Sequence, residues 1–310
     1  MKCLLFGGTG FIGKNLTQAL IQKGHAVGIV SRHKPTEISE CHYEHYELSL
    51  SKDTDDSALQ AVLKDQEVII QLISTTTPQN SNDDPIYDVE SNLITTLKIL
   101  KNAREQGVKK IIFLSSGGTI YGQPQLIPIP ENHPIVPLCS YGIIKHTIEH
   151  YLSLYSHLYK MDYCILRLSN PYGQYQLHNR NQGVIPTFLY KALSKQDISI
   201  WGDGEVVRDY IYISDVTDAI INAIDYEGGE KIFNIGSGVG KSLNALLTEI
   251  EKIVGHTIVR HYSPNRIFDV KSNVLDISKA QECLQWGPKT SLQSGLSKTL
   301  EWIKSSMALP

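Results

Sequence analysis

Near the N-terminus, Gly7-Gly8-Thr9-Gly10-Phe11-Ile12-Gly13 has residue types that suit binding of a phosphate group. Gly7, Gly10 and Gly13 follow G-x-x-G-x-x-G spacing, and Gly8, Gly10 and Gly13 also satisfy G-x-G-x-x-G. One glycine permits a tight turn, another lets the backbone approach a pyrophosphate, and the third lets the following helix pack on the strand. The positive N-terminus of that helix then faces the phosphates of a dinucleotide. Much later, Tyr141-Gly142-Ile143-Ile144-Lys145 sets a phenol and an ammonium four positions apart, on one face of a helix. The ammonium, together with a positive nicotinamide ring, is expected to lower the phenol from its usual pKa of about 10. Such a tyrosine can exchange a proton with a substrate hydroxyl while hydride moves to or from a bound dinucleotide.

Both patterns need a rigid frame, and the first half of the chain supplies one. Apolar strands are expected at 2–6, 26–30, 68–73, 111–115 and 163–168, with helices at 12–23, about 57–65, 88–105 and about 141–159. Apolar strands separated by helices imply parallel strands buried on both faces, hence an α/β fold with a Rossmann-type doubly wound parallel sheet. The rhythm breaks after Asn170-Pro171, so residues 1–170 read as the dinucleotide-binding domain. Residues 171–310 read as mainly a smaller C-terminal α/β substrate lobe, with about 211–225 able to return to the main sheet. The polar run 74–87 directly follows a strand, at the edge that faces the ligand crevice in an open sheet.

Composition narrows the classes. With 41% hydrophobic and 20% charged residues, the 310-residue chain suits a soluble enzyme with a large core. A net charge of −3 with scattered basic residues argues against nucleic acid. No apolar run approaches the roughly 18 residues that cross a bilayer. Five unevenly spaced cysteines without Cys-x-x-Cys suggest reduced thiols in the cytoplasm, and no metal site is expected.

One detail is irregular. A dinucleotide site usually ends its second strand with an acid that grips the ribose 2′-hydroxyl. This chain has Ser31-Arg32-His33 there. Serine can donate to a 2′-phosphate and arginine can pair with it bidentately, which leans the cofactor towards NADP(H) over NAD(H).

Taken together, the ordered motifs resemble the extended short-chain dehydrogenase/reductase family, in particular its NAD-dependent epimerase/dehydratase group of sugar-nucleotide enzymes. The resemblance rests on the glycine loop, Ser115-Ser116 followed by Tyr121-Gly122, Tyr141 with Lys145, and the run Arg167–Gly173. It continues through Trp201-Gly202-Asp203-Gly204, Val207–Ile211, Phe233–Gly236, Arg266 with Asp269, and Trp286-Gly287-Pro288. The resemblance implies Tyr141 and Lys145 as catalytic acid/base and its partner; Ser116 or Thr119 can stand in for the family's sugar-bonding hydroxyl only if the loop backbone shifts. It places Gly7, Gly10, Phe11, Ile12, Gly13, Ser31, Arg32 and Leu50 against the cofactor, along with Tyr141 and Lys145. Asn170, Arg208 and Arg266 are implied at the substrate diphosphate, Ser199 and Trp201 beside the nucleotide base, and Asn92 in a structural role. It also implies a nucleotide-diphosphate sugar as substrate and a homodimer built on the helices around 88–105 and 141–159.

Three departures bear on the reaction. Gly117 stands where the UDP-galactose 4-epimerases carry a serine or threonine, Ser74–Thr77 stands near where they carry a lysine, and Ser31-Arg32 replaces the ribose acid. An epimerase must retain NAD, whereas a 4-ketoreductase exchanges cofactor and usually draws on NADPH. The sequence therefore tilts towards reduction of a dTDP-4-keto-6-deoxyhexose, as in surface-polysaccharide biosynthesis, with an NDP-hexose 4-epimerase as the alternative. A 4,6-dehydratase is disfavoured because Gly118-Thr119 occupies the place of its Asp-Glu pair. A cofactor-sensing protein without catalysis is disfavoured because Tyr141 and Lys145 are intact.

Overall fold

The computed structural model describes residues 1–35, 37–38, 41–177, 183–264 and 270–307. Its central sheet has seven strands. They are β1 (Lys2–Phe6), β2 (Ala26–Ser31), β3 (Glu44–Glu47), β4 (Val68–Gln71), β5 (Lys110–Ser116), β6 (Asp162–Leu168) and β10 (Ile232–Ile235), in the order β10-β6-β5-β4-β1-β2-β3. The registers of β1 with β2 and β4, of β2 with β3, and of β4 with β5 are all parallel. From β1 the chain winds first towards β3 and then returns to build β4, β5 and β6 on the other side. The order therefore reverses between β1 and β4, the place where an open α/β sheet leaves a crevice beyond its strand ends. The glycine loop leaves β1 there, and the polar 74–77 run follows β4.

β4 is buried along its whole length and β5 along all but its last residue, as strands covered on both faces must be. Leu4, Phe6, Ile69, Ile111, Phe113 and Ile165 supply the sheet side of one core; Ile144 and Ile148, on helix α5 (Ser140–Tyr159), pack onto it. The edge strand β3 has the polar sequence Glu-His-Tyr-Glu and pairs with β2 from Gly28–Glu44 to Ser31–Glu47. The helix expected at 88–105 is divided. A short α-helix (Pro85–Asp88) leads into a wide π turn (Val89–Ile94), and a regular helix (Thr95–Glu105) follows. In that π turn the Asn92 side chain bonds Thr75 and Thr76.

The chain divides into two compact units. The first comprises Met1–Ile120, Pro137–Arg167 and Thr217–Phe233; the second comprises Tyr121–Val136, Leu168–Val216 and Asn234–Pro310. The single boundary expected near 170 thus becomes a series of crossings: 121–136 belongs to the second unit although it precedes 170, and 217–233, which leads into β10 at the edge of the main sheet, belongs to the first. In the second unit, β9 (Val207–Tyr212) is flanked by β7 (Asn170–Tyr172), β11 (Gly240–Ser242) and β13 (Ser272–Asn273), and β8 (Ile198–Trp201) pairs in parallel with β12 (Arg260–Ser263). No described helix is long and apolar enough to cross a membrane.

Candidate active site

The glycine loop is built by close approach. Gly7 has φ +96°, a conformation that favours glycine. A Cβ on Gly13 would lie 2.4 Å from the Gly7 carbonyl oxygen and 2.5 Å from the Gly8 Cα, so only glycine lets the following helix (Phe11–Gln22) sit on the turn. That helix begins at Gly10 with no side-chain cap and no acidic residue in its first turn. The N–H groups of its first turn and its positive end form a cradle for an anion. The loop fits a dinucleotide pyrophosphate, and Phe11 and Ile12 flank it half-buried. Leu50 packs against the core of the same unit.

The ribose end holds a neighbour that sequence reasoning missed. The Ser31 hydroxyl donates to the His33 carbonyl at 2.8 Å and lies 3.0 Å from Nε2 of His45 on β3. That hydroxyl is thus already engaged within the chain. Arg32 is exposed.

At the end of β5, α5 brings Tyr141 and Lys145 in. Gly142 makes this possible: a Cβ there would lie 2.9 Å from Pro137 Cβ and 3.0 Å from the Thr119 carbonyl oxygen. The Lys145 ammonium donates to the Leu114 carbonyl at 2.9 Å and stands 4.8 Å from the Phe113 ring centre and 5.6 Å from that of Tyr141. Burial pushes Lys145 down to about 8. Tyr141 keeps part of its surface exposed, yet burial of the phenol pushes it up to about 12, opposed by a hydrogen bond with Ser74. Burial, with the charges of Cys139 and Asp88, raises the phenol and the Ser74 hydrogen bond opposes it, where the sequence leads one to expect lowering by Lys145 together with a nicotinamide ring. Ser116 is half-buried at the end of β5, and the Thr119 hydroxyl is buried without a hydrogen-bond partner among the described residues. Gly117 is buried between them and offers no hydroxyl.

Asn92 is 7% exposed and fully used. Its amide nitrogen reaches Thr75 Oγ1 (2.9 Å), Thr76 Oγ1 (3.2 Å) and Asp88 Oδ1 (2.8 Å), and its oxygen accepts from the Thr75 N–H (2.9 Å). Ser74, Ser81, His45 and Asp88 had no motif to announce them. The one available signal was the hydroxyl-rich run that directly follows β4.

In the second unit, Asn170 and Arg208 sit on adjacent strands. Asn170 donates to the Asp209 carbonyl at 3.0 Å, and Arg208 Nη1 donates to the Val207 and Val270 carbonyls at 2.9 and 2.7 Å. Ser199 and Trp201 both lie on the exposed face of β8. Arg266, with Asp269, lies outside the described residues.

A parallel sheet with its glycine loop at the switch point, and a Tyr-Lys pair on the helix that follows β5, place the chain in the short-chain dehydrogenase/reductase class of dinucleotide-dependent enzymes. Residues 3–236 match the NAD dependent epimerase/dehydratase family. The UDP-glucose 4-epimerase of Mycolicibacterium smegmatis is 33% identical over 98% of this chain and 99% of its own. A dTDP-4-dehydro-6-deoxyglucose reductase of Escherichia coli is 35% identical over 97% of each chain. The UDP-glucose 4-epimerase of Thermotoga maritima, solved with UDP-glucose, superposes with a TM-score of 0.92 at 34% identity, covering 99% of this chain and 100% of that one. The chain belongs to the NAD dependent epimerase/dehydratase family, whose members here include both epimerases and a reductase.

Proposed function

We propose that the protein is a 4-epimerase of UDP-hexoses that keeps its NAD throughout the cycle. Proton-coupled hydride chemistry rests on one observation, the Tyr141–Lys145 pair held at the end of β5. NAD, when bound, takes up and returns a hydride. Tyr141 removes the proton from the sugar 4-hydroxyl and later gives it back to the 4-keto oxygen. Lys145, with its ordinary pKa lowered but still mostly charged at neutral pH, opposes the cost of forming the phenolate. The unpaired Thr119 hydroxyl is the donor that replaces the side chain absent at Gly117. Gly7, Gly10 and Gly13 hold the pyrophosphate of the cofactor, and Asn170, Arg208 and Arg266 take the diphosphate of the substrate.

The choice of epimerisation over reduction turns on Ser31. Its donor is spent on the His33 carbonyl, so the lean towards a 2′-phosphate loses one of its two supports. Arg32 alone favours the second reading, NADPH-driven reduction of a dTDP-4-keto-6-deoxyhexose; the E. coli relative is named a dTDP-4-dehydro-6-deoxyglucose reductase. Acid release of the cofactor from purified protein separates the two. Retained NAD with interconversion of UDP-glucose and UDP-galactose supports the epimerase. An empty protein that oxidises NADPH only when given dTDP-4-keto-6-deoxyglucose overturns it.

A further inference from the structure

Asp88 has no solvent exposure, and no lysine or arginine among the described residues pairs with it. A buried carboxylate without a counter-ion is costly unless neutral donors surround it. Three do. Oδ1 accepts from the Thr76 hydroxyl at 2.6 Å and the Asn92 amide at 2.8 Å, and Oδ2 accepts from the Ser140 hydroxyl at 2.6 Å.

Those donors come from three places that matter to the chemistry. Thr76 belongs to the loop that carries Ser74, the hydrogen-bond partner of the Tyr141 phenol. Asn92 fastens the same loop from the π turn. Ser140 immediately precedes Tyr141, and the segment leading to Asp88 also holds the backbone there. Asn82 accepts from the Ser140 N–H at 2.9 Å, and the Ser81 hydroxyl accepts from the Tyr141 N–H at 3.1 Å. The carboxylate thus ties the phenol's turn of α5 to the loop that touches the phenol.

We propose that Asp88 is a positioning residue for the proton-transfer pair, clamping the Tyr141 turn against the 74–77 loop and setting the local field at Tyr141 and Lys145. The proposal rests on the reading of Tyr141 and Lys145 as that pair. The charged or titratable groups acting on them are few. Asp88 and Cys139 bear on Tyr141, and Asp88 and Glu149 on Lys145, with Glu149 in turn held by Arg167 and His146. The Asp88 charge favours the protonated form of both members, so neutralising it moves both titrations to lower pH.

The test is Asp88→Asn, with Ser140→Ala as a milder variant that removes one donor and leaves the carboxylate. With UDP-glucose as substrate, Asp88→Asn is expected to lower kcat by about tenfold or more, the scale of a displaced catalytic group, with KM within about twofold. The pH profile of kcat shifts to lower pH. Ser140→Ala lowers kcat less, again at unchanged KM. A folded Asp88→Asn with an unmoved profile overturns the proposal, as does Ser140→Ala with wild-type kcat. A readout free of substrate uses lysine labelled with 13C at Cε, the Lys145 signal being the one lost in Lys145→Met. Its titration is expected to fall below that of the wild-type protein in Asp88→Asn, and an unmoved titration overturns the electrostatic part. Should wild-type protein leave UDP-glucose unchanged while this titration still moves, the substrate assignment fails and the role of Asp88 stands. If Asp88→Asn does not fold, Ser140→Ala decides.

Discussion

Two cations lie deep in the first unit and are treated in opposite ways. Arg167, 2% exposed on β6, forks onto Glu149, with Nε to Oε1 at 3.1 Å and Nη2 to Oε2 at 2.6 Å. Lys145, 6% exposed, sits one helical turn before Glu149 on α5 and still has no carboxylate within ion-pairing distance among the described residues. It makes do with one carbonyl and two aromatic faces. Burial pushes the Glu149 carboxyl up, but His146 and Arg167 outweigh it and hold the group below its ordinary value. Burial pushes Lys145 down to about 8 with only distant carboxylates opposing it. Glu149 is spent on the arginine, and on the proposed reading Lys145 is left to act on Tyr141. A buried charge with its own partner stabilises the fold's geometry; one denied a partner is reserved for a reacting group.

The contrast is broken most sharply at the reacting group. Tyr141→Phe and Lys145→Met are each expected to lower turnover by about 10²–10⁴-fold, the span of a lost proton-transfer group, without a fall in melting temperature. Steady-state kinetics on UDP-glucose, with a thermal melt of each variant, checks this. Arg167→Met comes next. It leaves the Glu149 carboxylate buried and unpaired, and should cost about 3–5 kcal/mol in urea unfolding. A loss under about 1 kcal/mol would mean that Lys145 had captured the freed carboxylate.

Lys145→Met should carry the opposite sign in stability. Its folded pKa of about 8 lies below the unfolded value of about 10.4, so the unfolded chain holds that proton more tightly. The cost of the charge is therefore present in full below pH 8 and disappears as pH rises towards about 10.4. Replacing the ammonium should stabilise the protein by on the order of 2–3 kcal/mol at pH 7, and by less at pH 9.5. Paired unfolding curves at the two pH values measure it, and a destabilised variant at pH 7 contradicts the unpaired reading of Lys145.

What the sequence revealed and what it hid follow one physical line. The glycine loop and Tyr141–Lys145 were legible because their geometry is local, set by a turn and by one helical repeat. The buried strands β1, β4 and β5 were legible because burial on both faces makes them apolar. β3 was not, since an edge strand of Glu-His-Tyr-Glu has neither an apolar run nor alternation. Missing β3 also hid His45, and with it the engagement of Ser31 that weakens the case for a 2′-phosphate. The π turn was hidden because one wide turn hardly alters the spacing of apolar residues across 88–105. Asp88 was beyond reach, for its partners at 76, 92 and 140 are joined only by folding. Burial of the phenol was hidden too, because spacing gives a neighbour's charge and says nothing of burial.

The smallest expected effect concerns acid. Glu149 has a folded pKa below its ordinary value, so the stability it contributes is present above the unfolded value of about 4.3 and is lost as pH falls through the depressed folded value. Glu149→Gln should remove that part of the acid slope while costing stability at pH 7, because the Arg167 guanidinium then faces a neutral amide. The comparison between the two cations predicts more: with the carboxylate gone, Lys145 loses a favourable distant charge and its titration should fall below about 8. Unfolding free energies between pH 3 and 7, alongside the labelled Lys145 signal, test both halves. An unchanged acid slope would show that the pair with Arg167 survives protonation, and an unmoved Lys145 titration would show that Glu149 is wholly spent on its arginine.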